Sequence, residues 1–259
     1  MRIAAGIEYD GTEFCGWQSQ DEGRTVQGEL EKALSFVANE PVHVSCAGRT
    51  DTGVHALGQV VHFDTEVERT DRSWLLGCNS NLPRDINVGW IKETNEDFHA
   101  RFGALSRSYR YVIMNRATRS AIHQHRVCWH HHPLDEKRMH TAAQLFLGEN
   151  DYTSFRALAC QAKSPVRTIH SLDIKRQGDY IIIDVIANAF LHHMVRNIVG
   201  SLLVIGEGEQ QPGWISELLE AKDRSIAAAT AAAQGLYLVS VEYPDQFAIP
   251  EPPNPPCFA

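Results

Sequence analysis

Hydrophobic positions alternate from the start of the chain. Ile3, Ala5, Ile7 and Tyr9 fall on one side of an extended segment and predict an opening strand. Asp10-Gly11 predicts a turn, with Phe14 to Trp17 as its return. Thr25 is placed to cap a helix whose apolar face is Val26, Leu30, Ala33, Leu34 and Val37. Val42–Cys46 and Gln59–Phe63 read as strands, Asp71 as the cap of a helix running through Leu76, and Ile86–Lys92 as a further strand. A second series starts near Leu105, with strands over Tyr109–Met114 and Arg126–His130. Asp135 caps a helix bearing Met139, Ala142, Ala143 and Phe146. Thr168–Lys175 and Tyr180–Ile186 make a hairpin across Gln177-Gly178-Asp179. A helix over Leu191–Ile205 presents Met194, Ile198, Val199 and Leu202. Helices over Trp214–Ala221 and Ile226–Ala231 then lead into a last strand, Leu236–Tyr243, and an extended proline-rich tail, Ile249–Pro256.

Strands and helices mix without a βαβ rhythm, and hairpins recur. The pattern predicts an α+β protein with mixed, mostly antiparallel sheet. With 259 residues there is core enough for two domains, divided here as 1–104 and 105–259. The halves carry similar mixtures of elements without a clear repeat. No signal peptide pattern opens the chain and no apolar run approaches membrane-spanning length, which predicts a cytoplasmic protein without a membrane partner. The six cysteines are scattered, as in a reducing compartment.

Charge changes this picture. The net charge is −8, yet Phe98–Leu134, Tyr152–Leu172 and Val185–Gly206 contain no Asp or Glu. They hold ten of the 24 basic side chains: Arg101, Arg107, Arg110, Arg116, Arg119, Arg126, Arg156, Lys163, Arg167 and Arg196. A basic face on an acidic body suits phosphate recognition. In Ser106-Arg107-Ser108-Tyr109-Arg110-Tyr111 the two tyrosines share a strand face, suited to stacking on an unpaired base, while the arginines reach phosphates. The same pattern also describes a core strand.

Candidate chemistry centres on Asp51, the one acid between Glu40 and Asp64. Arg49 stands two residues before it, and Gly48 and Gly53 flank it. A carboxylate with a cationic neighbour in a loop of this kind is a candidate nucleophile, although the same residues serve turns. Asp51-Thr52-Gly53 also matches an aspartic protease signature, but that chemistry needs two carboxylates sharing a proton, and Arg49 opposes sharing. The chain has no Gly-x-Gly-x-x-Gly or P-loop pattern, so no nucleotide cofactor is expected. Histidines cluster at His123-x-His125, His130-His131-His132 and His192-His193 without a His-Glu-x-x-His signature. Adjacent histidines in a strand would point to opposite faces, so no metal is expected.

The stretch Ala47–Ala56, Ser106–Tyr111 and Ala187–Asn197 together resemble the tRNA pseudouridine synthase A family. Gly6–Gly11, Phe98–Phe102, Ser164–Thr168 and Gly235–Leu238 match as well, in family order. A departure lies at Thr230-Ala231-Ala232-Ala233, where many members carry a proline. The resemblance implies the pseudouridine synthase fold, two α+β domains with helices on one sheet face and a cleft between them. It implies conversion of uridine to pseudouridine at positions 38, 39 and 40 of tRNA, without cofactor, by a homodimer. It implies Asp51 as the catalytic aspartate, Tyr109 as the tyrosine that stacks on the target base, and Arg196 as the basic partner of the aspartate. Arg49 corresponds to an arginine associated with flipping the nucleotide, and Leu236 to an apolar wall of the pocket. Phe98, His99, Ala100, Arg101 and Phe102, with Ala159, Cys160, Gln161, Ala162 and Lys163, correspond to RNA-contacting segments. A non-catalytic RNA-binding module, and an aspartic protease whose second carboxylate a dimer would supply, stay open beside the synthase at this point.

Overall fold

A computed structural model describes residues 1–251, 254 and 255. The strands are β1 (Arg2–Tyr9), β2 (Ser45–Cys46), β3 (His55–Asp64), β4 (Ile86–Thr94), β5 (Ser106–Asn115), β6 (Cys128–His130), β7 (Gly148–Asp151), β8 (Val166–Gln177), β9 (Tyr180–Ala187) and β10 (Leu236–Glu242). The helices are α1 (Val26–Ala38), α2 (Asp71–Asn81), α3 (Glu136–Ala143), α4 (Met194–Gly206) and α5 (Trp214–Ala221). The chain forms two compact units, Met1–Arg107 with Tyr237–Pro255, and Ser108–Leu236. The first unit is therefore discontinuous, where a single division between 104 and 105 was expected. The reason is β10, which pairs in parallel with β3 through Tyr237↔His55 and Leu238↔Ala56.

In the first unit the strand order is β4-β1-β3-β10, with β2 on β3. β1 runs antiparallel to both neighbours. Its Ile3 and Ile7 are buried with Leu30 and Leu34 of α1 and Trp74 of α2, whose ring meets Phe63 edge-on at 5.4 Å. Thr25 caps α1 through the Gly28 N–H, as its sequence position predicts. Thr70, one residue before Asp71, caps α2 through Ser73 N–H.

In the second unit the order is β5-β9-β8-β7, with β6 parallel to β5. β8 and β9 form the predicted hairpin, and Gly178 takes the positive φ of 56° that its two-residue turn requires. Asp135 caps α3 as expected. Phe146, Tyr152 and Phe155 form an aromatic core, and α4 buries Met194, Ile198, Leu202 and Ile205. The observed architecture is α+β with mixed sheet.

Other expectations differ, and the strand expected over Arg126–His130 narrows to Cys128–His130. Phe14–Trp17 is no return strand: Gly11–Glu13 is a 3-10 turn, and Phe14 and Trp17 bury their rings instead of pairing. Val42–Cys46 narrows to β2. Ile226–Ala231 is not an α-helix: Ile226 ends a 3-10 turn, Arg224–Ile226, after which Arg224 holds the Ala227 carbonyl and the Ala231 N–H donates to the Arg196 carbonyl of α4. The tail expectation at Ile249–Pro256 falls partly outside the described residues. No described helix is long and apolar enough to cross a membrane.

Candidate active site

Asp51 lies in the first unit, half-buried, on the loop that joins β2 to β3. The loop is fixed from below. Ala47 N–H extends the strand ladder to the Val60 carbonyl at 2.8 Å, and Gln59 Nε2 donates to the Gly48 carbonyl at 2.6 Å. The Val54 N–H returns to the Asp51 carbonyl at 3.1 Å, closing a turn in which Gly53 has φ of 78°. Buried Thr50 shares a 2.7 Å hydrogen bond with the Tyr9 hydroxyl, and its carbonyl accepts from Trp17 N–H at 3.0 Å.

The segment that was expected to be a strand forms the floor of this loop. A Cβ on Gly11 would lie 1.9 Å from the Val54 carbonyl oxygen, and one on Gly16 2.9 Å from the Thr50 carbonyl oxygen. Only glycine permits so close an approach. His55 completes the clamp: it is buried, stacked on Tyr237 at 4.7 Å, and its Nδ1 accepts from Gly11 N–H at 3.0 Å. The Asp10 carboxylate is 3.2 Å from the same nitrogen. One nitrogen serves one of these partners at a time, accepting from Gly11 or donating to Asp10. Contact with His55, then the Thr12 hydroxyl and N–H, hold the Asp10 carboxyl well below the usual range against the opposing effect of burial. The position of Asp51 thus rests on Gly11 and His55, both inside the quoted motifs, and on Gly16, outside them; the sequence marked Gly11 only as a turn residue.

Arg49 is exposed on the same loop. Burial pushes the Cys46 thiol up to about 11, an effect opposed by the charges of Arg49 and Arg101. Arg107 Nη2 donates to both the Ala47 and the Arg101 carbonyls, which brings Arg101 to the root of the Asp51 loop. The segment Phe98–Phe102 divides by burial. Phe98 and Ala100 are completely buried, so their side chains anchor the segment and do not face a ligand. His99 Nδ1 accepts from the N–H groups of Arg101 and Phe102. Phe102 is 77% exposed and carries the Arg101 guanidinium 5.5 Å over its ring. The side chains that this segment exposes to a ligand are Arg101 and Phe102, with His99 beneath. Arg107 was expected to reach phosphate. It is instead buried and donates to the carbonyls of Ala104, Ala47 and Arg101, tying this segment to the root of the Asp51 loop.

Tyr109, Arg196 and Leu236 lie in the second unit. Tyr109 is nearly buried on β5, with Phe190 edge-on to its ring at 4.9 Å. Tyr111, on the same strand face, is wholly buried and donates to the Ala232 carbonyl at 2.7 Å, so it is a core residue and the base-stacking candidate is Tyr109 alone. Arg110 also departs from its expected role, since its guanidinium makes a bidentate pair with Asp184 at 2.7 and 2.8 Å.

Arg196 is half-buried in the first turn of α4, the end at which the helix dipole adds positive potential. Its Nε donates to the Ala231 carbonyl at 2.8 Å. The adjacent Asn197 is buried, with Nδ2 donating to the Phe155 carbonyl, and its Oδ1 accepts from Thr230 Oγ1 at 2.7 Å and Arg224 Nη2 at 3.1 Å. This network sets the first turn of α4 and was not legible in the motif. Leu236 is buried where β10 starts.

In 159–163, Ala159, Gln161 and Lys163 are exposed and Cys160 and Ala162 half-buried. The Ala157 N–H donates to the His192 carbonyl, which brings this stretch to the start of α4. The adjacent histidines do meet, contrary to the strand argument. His192 and His193 have ring centroids 4.1 Å apart, and His131 and His132 4.0 Å. Neither pair lies in a strand, so alternation does not apply.

The family model described as tRNA pseudouridine synthase matches residues 5–103 and 142–244, which include Asp51, Arg196 and Leu236. Over 258 residues the chain is 59% identical to "tRNA pseudouridine synthase A" of Vibrio campbellii, covering 100% of this chain and 98% of the relative. It is 59% identical over 258 residues to the protein of the same name from Cronobacter sakazakii, covering 100% and 96%. It is 58% identical over 257 residues to the one from Escherichia fergusonii, covering 99% and 95%. Among solved structures it is similar, at 10% identity and a TM-score of 0.40, to a chain of the "Crystal Structure of a Cbf5-Nop10-Gar1 Complex", over 92% of this chain and 49% of that one.

Proposed function

The chain belongs to the tRNA pseudouridine synthase family, and on that premise we propose that it isomerises uridine to pseudouridine at positions 38, 39 and 40 in the anticodon stem-loop of tRNA. The observation that carries this reading is the full-length similarity to tRNA pseudouridine synthase A proteins, with Asp51 and Arg196 inside the matched segments. The enzyme acts as a homodimer in the cytoplasm and needs neither metal nor organic cofactor.

The reaction breaks the C1′–N1 bond, rejoins the ring through C5, releases the C5 proton and returns a proton to N1. No electrons are exchanged and no group is imported, so acid–base and nucleophilic side chains suffice. The target base leaves its stack at a cost of about a few kcal/mol. Tyr109, with Phe190 edge-on to its ring, offsets part of this, since base–aromatic stacking contributes roughly 1–3 kcal/mol. Asp51 starts the chemistry as a carboxylate, at the base, at the sugar carbon or by removing a sugar proton. All three routes need its charge in a desolvated pocket, where burial alone would favour the neutral acid. Arg196 supplies the opposing charge and Leu236 an apolar wall. Arg49 assists flipping, and Arg101, Phe102 and the 159–163 stretch contact the RNA. Tyr109 also assists removal of the C5 proton.

The test is incubation of the purified protein with unmodified tRNA in EDTA, followed by mapping of pseudouridine. Product at 38, 39 or 40 supports the reading. Tight tRNA binding with no product, unaffected by changes at Asp51, would leave only a binding module.

A further inference from the structure

The catalytic and contact residues above leave unused the most basic exposed loop of the second unit, between β5 and β6. We propose that the stretch 116–132 is a second RNA-contacting surface, on which Arg119 and Arg126 take phosphates beside an aromatic ledge of Trp129, His131 and His132. The proposal rests on the tRNA reading and extends it to a part of the RNA away from the target uridine.

The loop is built rather than loose. Arg116 Nε donates to the Thr118 carbonyl at 2.8 Å, and Trp129 Nε1 donates to the Arg116 carbonyl at 2.9 Å. The Ser120 hydroxyl accepts from His123 N–H, and the N–H groups of Arg126 and Val127 both reach the His123 carbonyl. Asn115 Nδ2 donates to the carbonyls of His130 and His132, fixing the far side. On this frame Arg119, Arg126, His131 and His132 are exposed, and Trp129 is 41% exposed. The rings form a row, Trp129 to His131 at 5.6 Å and His131 to His132 at 4.0 Å.

Charge selects the occupant. No acid occurs from Phe98 to Leu134. Asp179 lies 3.5 Å from Arg116, and Glu207 2.7 Å from His130. Cations interleaved with aromatic faces suit a polyanion that also offers sugars and bases, which is RNA. The chain as a whole is acidic, at −8, so this surface works against the general repulsion of polyanions. Seven residues of nearly continuous strand separate Tyr109 from Arg116, on the order of 20 Å at strand rise. A single nucleotide does not span that distance, so the surface meets a different part of the substrate.

The experiment compares the full-length protein with its Arg119→Glu/Arg126→Glu and His131→Ala/His132→Ala variants. Each is titrated with full-length unmodified tRNA and with an isolated anticodon stem-loop, over a series of salt concentrations, after thermal melts have matched the variants to the parent. For the arginine pair we expect affinity for full-length tRNA to fall about tenfold or more, with the slope of log K against log salt shallower by about two. Affinity for the stem-loop should stay at the parent value. The histidine pair should weaken full-length binding without changing the slope. Parent-like affinity and slope on full-length tRNA would overturn the proposal, as would equal losses on both RNAs. Pseudouridine formation by the parent is scored in the same preparations. Its absence, with full-length binding still sensitive to the arginine pair, would reject the synthase reading and leave the RNA surface standing.

Discussion

Arg196 and Ala231 bond each other twice: Arg196 Nε donates to the Ala231 carbonyl at 2.8 Å, and the Ala231 N–H donates to the Arg196 carbonyl at 3.1 Å. The guanidinium is therefore steered by a backbone segment thirty-five residues away in sequence. That segment is held by Thr230 and Arg224 against Asn197. Thr230→Val removes the hydroxyl from this part-buried network and takes a partner from Asn197 Oδ1, which should cost about 1 kcal/mol in urea unfolding. If Arg196 serves Asp51, kcat should fall severalfold with KM for tRNA near the parent value. Thr230→Ser should recover both, whereas a purely structural role would change stability and leave kcat alone.

Gly11→Ala tests the floor of the Asp51 loop. The added Cβ would lie 1.9 Å from the Val54 carbonyl oxygen, backbone against backbone, so the loop must move. Overpacking of this kind should cost about 1–3 kcal/mol or more. Turnover should fall further than thermal stability alone explains. Parent-like single-turnover rates in a folded Gly11→Ala protein would show that loop position does not limit the reaction.

Arg107 and Arg101 should behave oppositely despite lying in one basic run. Arg107 is buried and bonded to three carbonyls, so Arg107→Met should lower stability by about 2–3 kcal/mol. Arg101 is exposed. Arg101→Ala should leave melting near the parent value, while the salt slope of tRNA binding becomes shallower by about one. Calorimetry and binding titrations on the same two proteins check the contrast.

His62 gives the first unit a pH dependence. Burial, reinforced by the neighbouring His99 and Arg2 charges, pushes its imidazole down to about 4 from an ordinary 6.5. The unfolded chain then binds this proton more readily than the folded one. Stability from the neutral ring is fully present above 6.5 and is lost as pH falls towards 4, by at most about 3 kcal/mol. Replacing the ring with Gln should flatten denaturation midpoints between pH 6.5 and 4. An unchanged pH profile would remove His62 as the source.

Much of this architecture was legible in the chain because local signals and packing agree. Thr25 and Asp135 cap the helices they precede, and Gly178 marks its hairpin. The failures share a cause. Phe14–Trp17 and Ile226–Ala231 have acceptable local propensity, yet each is held by a distant backbone partner, Thr50 for Trp17 and Arg196 for Ala231. Arg107 and Arg110 read as phosphate ligands because charge and spacing do not reveal burial or a partner such as Asp184. The return of β10 to the first unit depends on a parallel pairing with β3 nearly two hundred residues earlier, which has no local mark.

In the proposed reaction the Asp51 carboxylate starts the isomerisation. Tritium release from C5-labelled tRNA, measured in single turnover with EDTA present, tests it most directly on the parent and on Asp51→Asn. We expect release from the parent and none above background from Asp51→Asn, with tRNA affinity largely retained. Release by Asp51→Asn at the parent rate would mean that another group starts the reaction.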